Sequence, residues 1–170
     1  MSNQRADFAE FYRRSSNDCL RAVLVNVGDQ DIAQDLVAEA FARAWASWRT
    51  VSRHPAPAAW VVRTALNVGV SRWRRLRREI PHPDLGTLAG PPAAGGADDD
   101  LVDPRVMAAL LRLPARQRQV IALRLFLDLD TGRTAEVLGI APGTVTAHLA
   151  RAIAALRRDL MLVLPQETTL

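Results

Sequence analysis

The sequence predicts an all-α protein made of two small helical domains joined by a flexible acidic linker. Three observations carry that expectation. Apolar residues recur at helical spacing through most of the 170 residues, and no stretch alternates with a period of two long enough to make a strand. One segment, PHPDLGTLAGPPAAGGADDDLVD from residue 81 to 103, has no helical period and no aromatic residue to anchor a core, and so reads as a linker. Charge changes sign with it: residues 1–78 hold 13 arginines against 7 acids, 79–104 hold 6 acids and no arginine, and 105–170 hold 9 arginines against 5 acids. The expected division is therefore 1–79, 80–103 and 104–170.

Each element has its own signal. Phe8, Phe11, Tyr12, Leu20, Val23, Leu24 and Val27 give a helix over Phe8 to Val27. A second helix is expected from Asp31 to Trp48, with Ile32, Leu36, Val37, Phe41, Trp45 and Trp48 on its apolar side and Asp31, Asp35, Glu39 and Arg43 on the other. A third runs from Ala58 to Arg78. Beyond the linker, Asp103 and Pro104 supply an N-cap and a first-turn proline for a helix to Leu113, and Pro114 opens another to about Leu127. Two shorter helical units follow.

Composition excludes several functions. With 49% hydrophobic residues in 170 the chain can build real cores, but no apolar run reaches the roughly 18 residues of a membrane span. The opening MSNQRADFAEF lacks the apolar core of a secretion signal, so a cytoplasmic protein is expected, with no membrane partner. Cys19 is the only cysteine; it forms no internal disulfide and is expected as a reduced, partly buried thiol. His54, His82 and His148 lack ligand spacing, so no metal is expected. Neither a phosphate-cradling glycine loop nor a nucleophile paired with a base is present, and no cofactor or catalytic residue is assigned. The chain does not read as an enzyme.

Two faces point to nucleic acid. In the third helix, at 100° per residue, Trp60, Arg63, Asn67, Ser71, Arg74 and Arg78 fall within about 80° of one another, while Val62, Leu66, Val70, Trp73 and Leu76 form the packing side. Arginines at both ends of such a stripe would follow a phosphate backbone, with Asn67 and Ser71 placed for base edges or phosphates. Trp60 suits either a wedge against a base or a place in the core. In the C-terminal block, Ala135, Gly139 and Val145 have the spacing of a helix-turn-helix: Ala135 permits close approach, Gly139 ends the first helix left-handed, and Val145 seats the second. Val145, Leu149, Ala152 and Leu156 form its seam, leaving Thr144, Ala147, His148, Arg151 and Arg158 outward, where the N-terminal ones meet base edges in a major groove.

Taken together, DIAQDLVAEAFARAW, WVVRTALNVGVSRWRR, LPARQRQVIALRLFLDL and GTVTAHLARAIAALR, in this order around a linker, resemble the extracytoplasmic-function group of the sigma-70 family of bacterial RNA polymerase sigma factors. The resemblance implies a sigma-2-like domain, a sigma-4-like domain, and no domain between them. It implies that Asp35, Glu39 and Phe41 dock on the clamp helices of the polymerase beta-prime subunit, with Phe41 alternatively a core residue. The loop from Thr50 to Ala59 and the helix after it would capture the non-template strand of the minus-ten promoter element, using Trp60, Arg63, Asn67, Ser71, Arg74, Arg75 and Arg78. Thr144, Thr146, Ala147, His148 and Arg151 would read the minus-thirty-five element as duplex. The implied partners are core RNA polymerase, through the beta-prime clamp helices and the beta flap, promoter DNA, and an anti-sigma protein. The acidic linker would run toward the RNA exit path.

The chain departs from the family pattern at Ser71, where aspartate is usual, and at Thr146 and His148, where basic residues are usual. Thr131 serves as the expected N-cap of the first helix of the helix-turn-helix, with Thr134 in place of the acidic or amide residue of a full capping box. The depleted charge near Thr146 leaves open a sigma-like decoy that binds polymerase without initiating. A stand-alone helix-turn-helix regulator is the other alternative, and it leaves the acidic face and the arginine stripe of the first domain without a use.

Overall fold

The computed structural model describes residues 2–79 and 101–161, with side chains from residue 3 to residue 76 in the first stretch. The expected linker therefore lies, up to residue 100, outside the described residues, as does the side chain of Arg78. The helices are α1 (Ser2–Val27), α2 (Gln30–Ala46), α3 (Trp48–Val51), α4 (Pro57–Glu79), α5 (Pro104–Leu111), α6 (Ala115–Ile121), α7 (Thr131–Leu138) and α8 (Pro142–Met161), with a π-helical segment at Ala122–Phe126 continuing α6. No strand occurs among the described residues, so the all-α expectation holds.

Local chemistry sets the chain reversals. Gly28 follows α1 with φ +80°, and its N–H donates to the Leu24 carbonyl at 2.7 Å, closing a left-handed C-cap that a side chain would strain. Asp29 then caps α2, its carboxylate accepting from the Ile32 N–H at 2.9 Å. Two residues suffice to turn the chain. α1, α2 and α4 consequently pack on one another, and Ala22, Val23, Val25, Ala33, Leu36, Ala40, Val61, Val62 and Ala65 fill the space between them.

Aromatic residues close one end of this group. Phe8 lies 5.1 Å, centroid to centroid, from both Trp45 and Trp48, Phe11 lies 5.0 Å from Trp48, and Tyr12 meets Phe41 edge-on at 4.8 Å. Such tilted and edge contacts add to the area these rings bury.

The helical wheels need correction at several positions. α2 ends at Ala46, and Trp48 starts the separate short α3, so the uninterrupted helix to Trp48 does not form. Ile32 and Trp45, assigned to the apolar side of α2, are 50% and 41% exposed, because small Ala33, Ala40 and Ala44 take the inward positions and bring the helices closer. On α4 the buried face is Val61, Val62, Ala65 and Val68, rotated from the expected one. Val70 and Leu76 are exposed, since the C-terminal half of α4 runs past the described residues that could cover it.

In the second group, the Asp103 carboxylate accepts from the Arg105 N–H at 2.7 Å and Pro104 occupies the first turn of α5, which ends at Leu111 and not at Leu113. The expected helix to Leu127 changes to π-helical hydrogen bonding at Ala122. The wider turn keeps Ala122 and Leu123 buried and leaves Leu125 64% exposed. The N-cap of α7 is Asp130, whose carboxylate accepts from the Arg133 N–H at 2.7 Å, and not Thr131, which is already helical. A carboxylate here suits the positive end of the helix dipole as well as the free N–H groups. Thr134 is fully buried, its hydroxyl donating to the Asp130 carbonyl at 2.8 Å.

The two groups also touch. Leu110, Leu113, Ile121, Ala122, Leu123, Val137 and Ala152 join one continuous apolar cluster with the buried residues of α1, α2 and α4. α1 carries most of this contact, against α5, α6 and the π-helical segment.

Cys19 sits at the centre of the first group, fully buried, its thiol 3.6 Å from the Ala58 carbonyl; the partial burial expected of it is in fact complete. Burial, with the nearby Asp18 charge, pushes the thiol pKa up to about 12. Alkylation by iodoacetamide near pH 8 should therefore run at least about a thousandfold slower than for a free cysteine of pKa about 8.5, and match it only in denaturant. Mass spectrometry of a timed labelling series reads this directly, and fast labelling of folded protein would contradict the buried site.

Candidate nucleic-acid interface

Between α2 and α4 runs an open groove of about 750 Å³. The α4 wall carries Trp60, Thr64, Asn67, Ser71, Arg72 and Arg75; the α2 wall carries Glu39, Arg43 and Ser47. Its geometry follows from close helix approach: a Cβ built on Gly69 of α4 would lie 3.1 Å from Leu36 Cδ1 of α2. On the α4 wall the hydroxyl and amide groups of Thr64, Asn67 and Ser71 come before Arg72 and Arg75, and Glu39 and Arg43 stand on the α2 wall.

The structure divides the expected stripe. Asn67, Ser71 and Arg75 face the groove, and half-buried Trp60 packs against the core while contributing to the groove wall. Arg63 faces the other flank of α4, toward the second helical group, and Asn67 borders both flanks. Arg74 is exposed on α4 outside the groove lining, and the Arg78 side chain lies outside the described residues. Thr64, Arg72, Arg43 and Ser47 are groove residues the stripe did not include. Thr64 and Arg72 lie off the narrow arc of the wheel, and the α2 residues enter only through tertiary packing.

Before the groove, the loop expected from Thr50 to Ala59 begins in the last turn of α3, is held by local hydrogen bonds, and ends in the first turn of α4. The Arg53 N–H donates to the Thr50 carbonyl at 3.1 Å and the His54 N–H to the Val51 carbonyl at 3.0 Å. His54 Nδ1 accepts from the Ala56 N–H at 3.0 Å, which puts a neutral ring's proton on Nε2. Hydrogen bonding to its own loop gives His54 a structural use.

On α2, Asp35 is exposed and Glu39 half-exposed, paired with Arg43 at 2.9 Å, so both carboxylates reach solvent. Phe41 does not share that surface. It is 4% exposed and enclosed by Phe8, Phe11 and Tyr12, so its role is to hold α2 against α1.

The helix-turn-helix has its own small core of Val120, Ala135 and Val145, flanked by Leu138, Ile140 and Leu149. Gly139 takes φ +64°, and the Ile140 N–H donates to the Ala135 carbonyl at 3.1 Å, a Schellman-type ending of α7. On α8, Thr144, Thr146 and Arg151 are exposed, with the Thr146 hydroxyl donating back to the Pro142 carbonyl at 3.2 Å. Ala147 and His148 are half-buried, and His148 Nδ1 is a buried atom without a hydrogen-bond partner, so His148 turns partly inward. Arg151 stands at the edge of a second groove, which α8 forms with Arg112, Pro114 and Gln117.

Residues 11–79 match the family model for Sigma-70 region 2, and residues 104–156 match that for Sigma-70 region 4. The RNA polymerase sigma-E factor of Streptomyces coelicolor is 31% identical, over 91% of this chain and 86% of that protein. The ECF RNA polymerase sigma factor SigL of Mycobacterium tuberculosis is 34% identical, over 82% of this chain and 81% of its own length. The chain belongs to the extracytoplasmic-function group of the sigma-70 family of RNA polymerase sigma factors.

Among solved structures, the fold is shared with the sigma factor RpoE in complex with the anti-sigma factor NepR from Bartonella quintana, with a TM-score of 0.70, 23% identity and coverage of 91% of this chain and 97% of that one. It is shared likewise with CnrH in complex with the cytosolic domain of CnrY, with a TM-score of 0.65, 23% identity and coverage of 93% and 90%. No single helix among the described residues is long and apolar enough to cross a membrane.

Proposed function

We propose that this sigma factor works in the cytoplasm as a binding subunit and not an enzyme, with residues 1–79 docking on core polymerase and opening the minus-ten element and residues 104–170 reading the minus-thirty-five element. The observation that carries the first assignment is the α2–α4 groove, whose α4 wall sets Asn67 and Ser71 between Trp60 and Arg75. Bases stack on an aromatic face and hydrogen-bond to an amide, while arginine follows the phosphates; this is the chemistry of a single strand held without its complement. Exposed Arg74 extends the positive charge of α4 beyond the groove, and Arg63, on the flank toward the second helical group, and Arg78 are the further arginines this reading assigns to the strand backbone and the adjoining duplex.

Asp35 reaches solvent on the outer side of α2 and Glu39 at the edge of the groove, and there they meet basic residues of the clamp helices, with Phe41 on the buried side of the same helix. On α8, Thr144, Thr146, Ala147 and Arg151 enter the major groove, with Arg151 able to pair with a guanine. His148 contributes less to base reading than a fully outward residue would. The segment 80–103 joins the two DNA-reading parts through the enzyme, the second part rests on the beta flap, and an anti-sigma protein is the regulator expected for the group.

Run-off transcription with core polymerase and genomic fragments tests this reading. Asn67→Ala and Arg151→Ala are each expected to lower specific initiation by about 1–3 kcal/mol, roughly 5- to 150-fold, with core-polymerase affinity unchanged. Polymerase binding with no start site from the parent protein would support the decoy reading instead.

A further inference from the structure

We propose that the space between α4 and α6 is a binding site for a small oxyanion of the phosphate class, held between Arg63 and Arg116. The site lies on the flank of α4 away from the groove with α2, and its occupancy does not depend on how a DNA strand is bound.

Charge is the first support. Arg63 stands on α4 and Arg116 in the first turn of α6, and both line a space of about 180 Å³ between the two helical groups. No aspartate or glutamate lines that space, and neither arginine has an ion-pair partner among the described residues. Two positive charges therefore border one cleft without a counter-charge. An anion between them relieves their repulsion and gains charge-assisted hydrogen bonds from both. The adjoining space of about 120 Å³ differs in this respect: Arg63 borders it as well, but there Arg133 is already paired with Glu136.

The donors are the second support. Arg116 Nη1 donates to Gln119 Oε1 at 3.0 Å, which holds the guanidinium at the rim and leaves the Gln119 amide N–H groups to donate to a ligand. Asn67 adds a second amide, with no hydrogen-bond partner among the described residues. Asn26 Nδ2 donates to the Ala22 carbonyl at 2.7 Å, so its Oδ1 remains an acceptor for the hydroxyl of a hydrogen phosphate. Val62, Leu66, Leu123 and Val137 make the remaining walls apolar. Hydrogen bonds to a charge are stronger beside such walls than in open water, because the local dielectric is lower. Many donors and no carboxylate select a compact ligand rich in acceptors, and the planar fork of arginine matches a phosphate two oxygens at a time.

Size narrows the ligand further. The space corresponds to the volume of about six waters, enough for inorganic phosphate. Sites for larger ligands start near roughly 300 Å³, so a nucleotide does not fit.

Thermal unfolding of the full chain, with sodium phosphate replacing sodium chloride at constant ionic strength, is the deciding experiment. At a Kd of about 1 mM, phosphate at about 10 mM should raise the parent's midpoint by about 3–6 °C. Arg116→Gln should lose most of that shift, while Arg105→Gln, which removes the same charge from an exposed position on α5, should keep it. A nucleoside monophosphate carries the same charged group on a body too large for the space and should give no shift. Phosphate also stabilises proteins in general by exclusion from their surface, an effect that would be equal in all three proteins. An equal shift in Arg116→Gln, or none in the parent, would therefore overturn the site and leave an adventitious ion only. An equal response to the nucleotide would overturn it too, by pointing to arginines on the open surface. The phosphorus NMR line of phosphate gives a readout independent of stability: it should broaden with the parent and stay sharp with Arg116→Gln. Should Arg116→Gln fail to fold, the contrast between phosphate and the nucleotide in the parent decides.

Discussion

Replacing Asp35 and Glu39 together by arginine is expected to weaken binding to core polymerase by about 2–4 kcal/mol, roughly 30- to 1000-fold, while the protein stays folded. The two carboxylates are one helical turn apart on α2, with Asp31 a further turn before them, so they form an acidic ridge on the outer side of the helix. Opposite charges on a partner lower the energy of such a ridge; like charges brought against it cost several kcal/mol, which is why reversal is more informative than removal. Stability should change little. Asp35 is exposed, and the Glu39–Arg43 pair, at 2.9 Å with both side chains substantially exposed, is worth about 0.3–0.5 kcal/mol. Fluorescence anisotropy of labelled protein against core polymerase gives the affinity, and thermal unfolding the control. Unchanged affinity would move the docking face elsewhere. Phe41→Ala separates the two roles proposed on this helix: its ring is enclosed by α1, so its loss should lower stability first and polymerase affinity only through displacement of α2.

Much of this architecture is visible in the sequence because it depends on local rules. The left-handed ending at Gly139, the proline in the first turn of α5 and the burial of Val145 each follow from one residue and its neighbours. The order of family segments likewise required no tertiary information. What the helical wheels missed depends on neighbours distant in sequence. A wheel ranks Trp45 and Ile32 as core, yet alanines at 33, 40 and 44 bring α2 close to its partners and leave those larger side chains at the margin. It groups Arg63 with Asn67 and Ser71, whereas α2 and the second helical group take opposite flanks of α4 and separate them. At the start of α7 two capping residue types, Asp130 and Thr131, stand side by side, and it is the hydrogen bond from the Arg133 N–H that makes Asp130 the cap. Contact between the two groups had no signal at all, since apolar residues on α1 and on the π-helical segment look the same whether each serves its own domain or the other.

Leu36→Ala is expected to cost about 3 kcal/mol and to lower the thermal midpoint by about 6–12 °C. Leu36 is 2% exposed, and its Cδ1 lies against the one glycine of α4. Truncation removes buried methyl groups and leaves a cavity in a core of short, stiff side chains such as Val61, Val62 and Ala65, which cannot readily fill it. Gly69→Ala sharpens the test, because two effects oppose one another. Helix propensity favours alanine by about 1 kcal/mol, but the new methyl would sit 3.1 Å from Leu36, and a fully buried leucine has little room to move. We expect the clash to win in the parent protein and to disappear in Leu36→Ala, where the methyl enters the cavity. The pair should therefore be coupled by about 1 kcal/mol or more in a double-mutant cycle, with the double variant more stable than Leu36→Ala alone. Additive effects would mean that α2 and α4 are not in contact at this point. The result bears on function because Asn67 and Ser71 flank Gly69: the same contact that stabilises the helix pair sets the distance between Asn67 and Ser71 on one wall of the groove and Glu39 and Arg43 on the other.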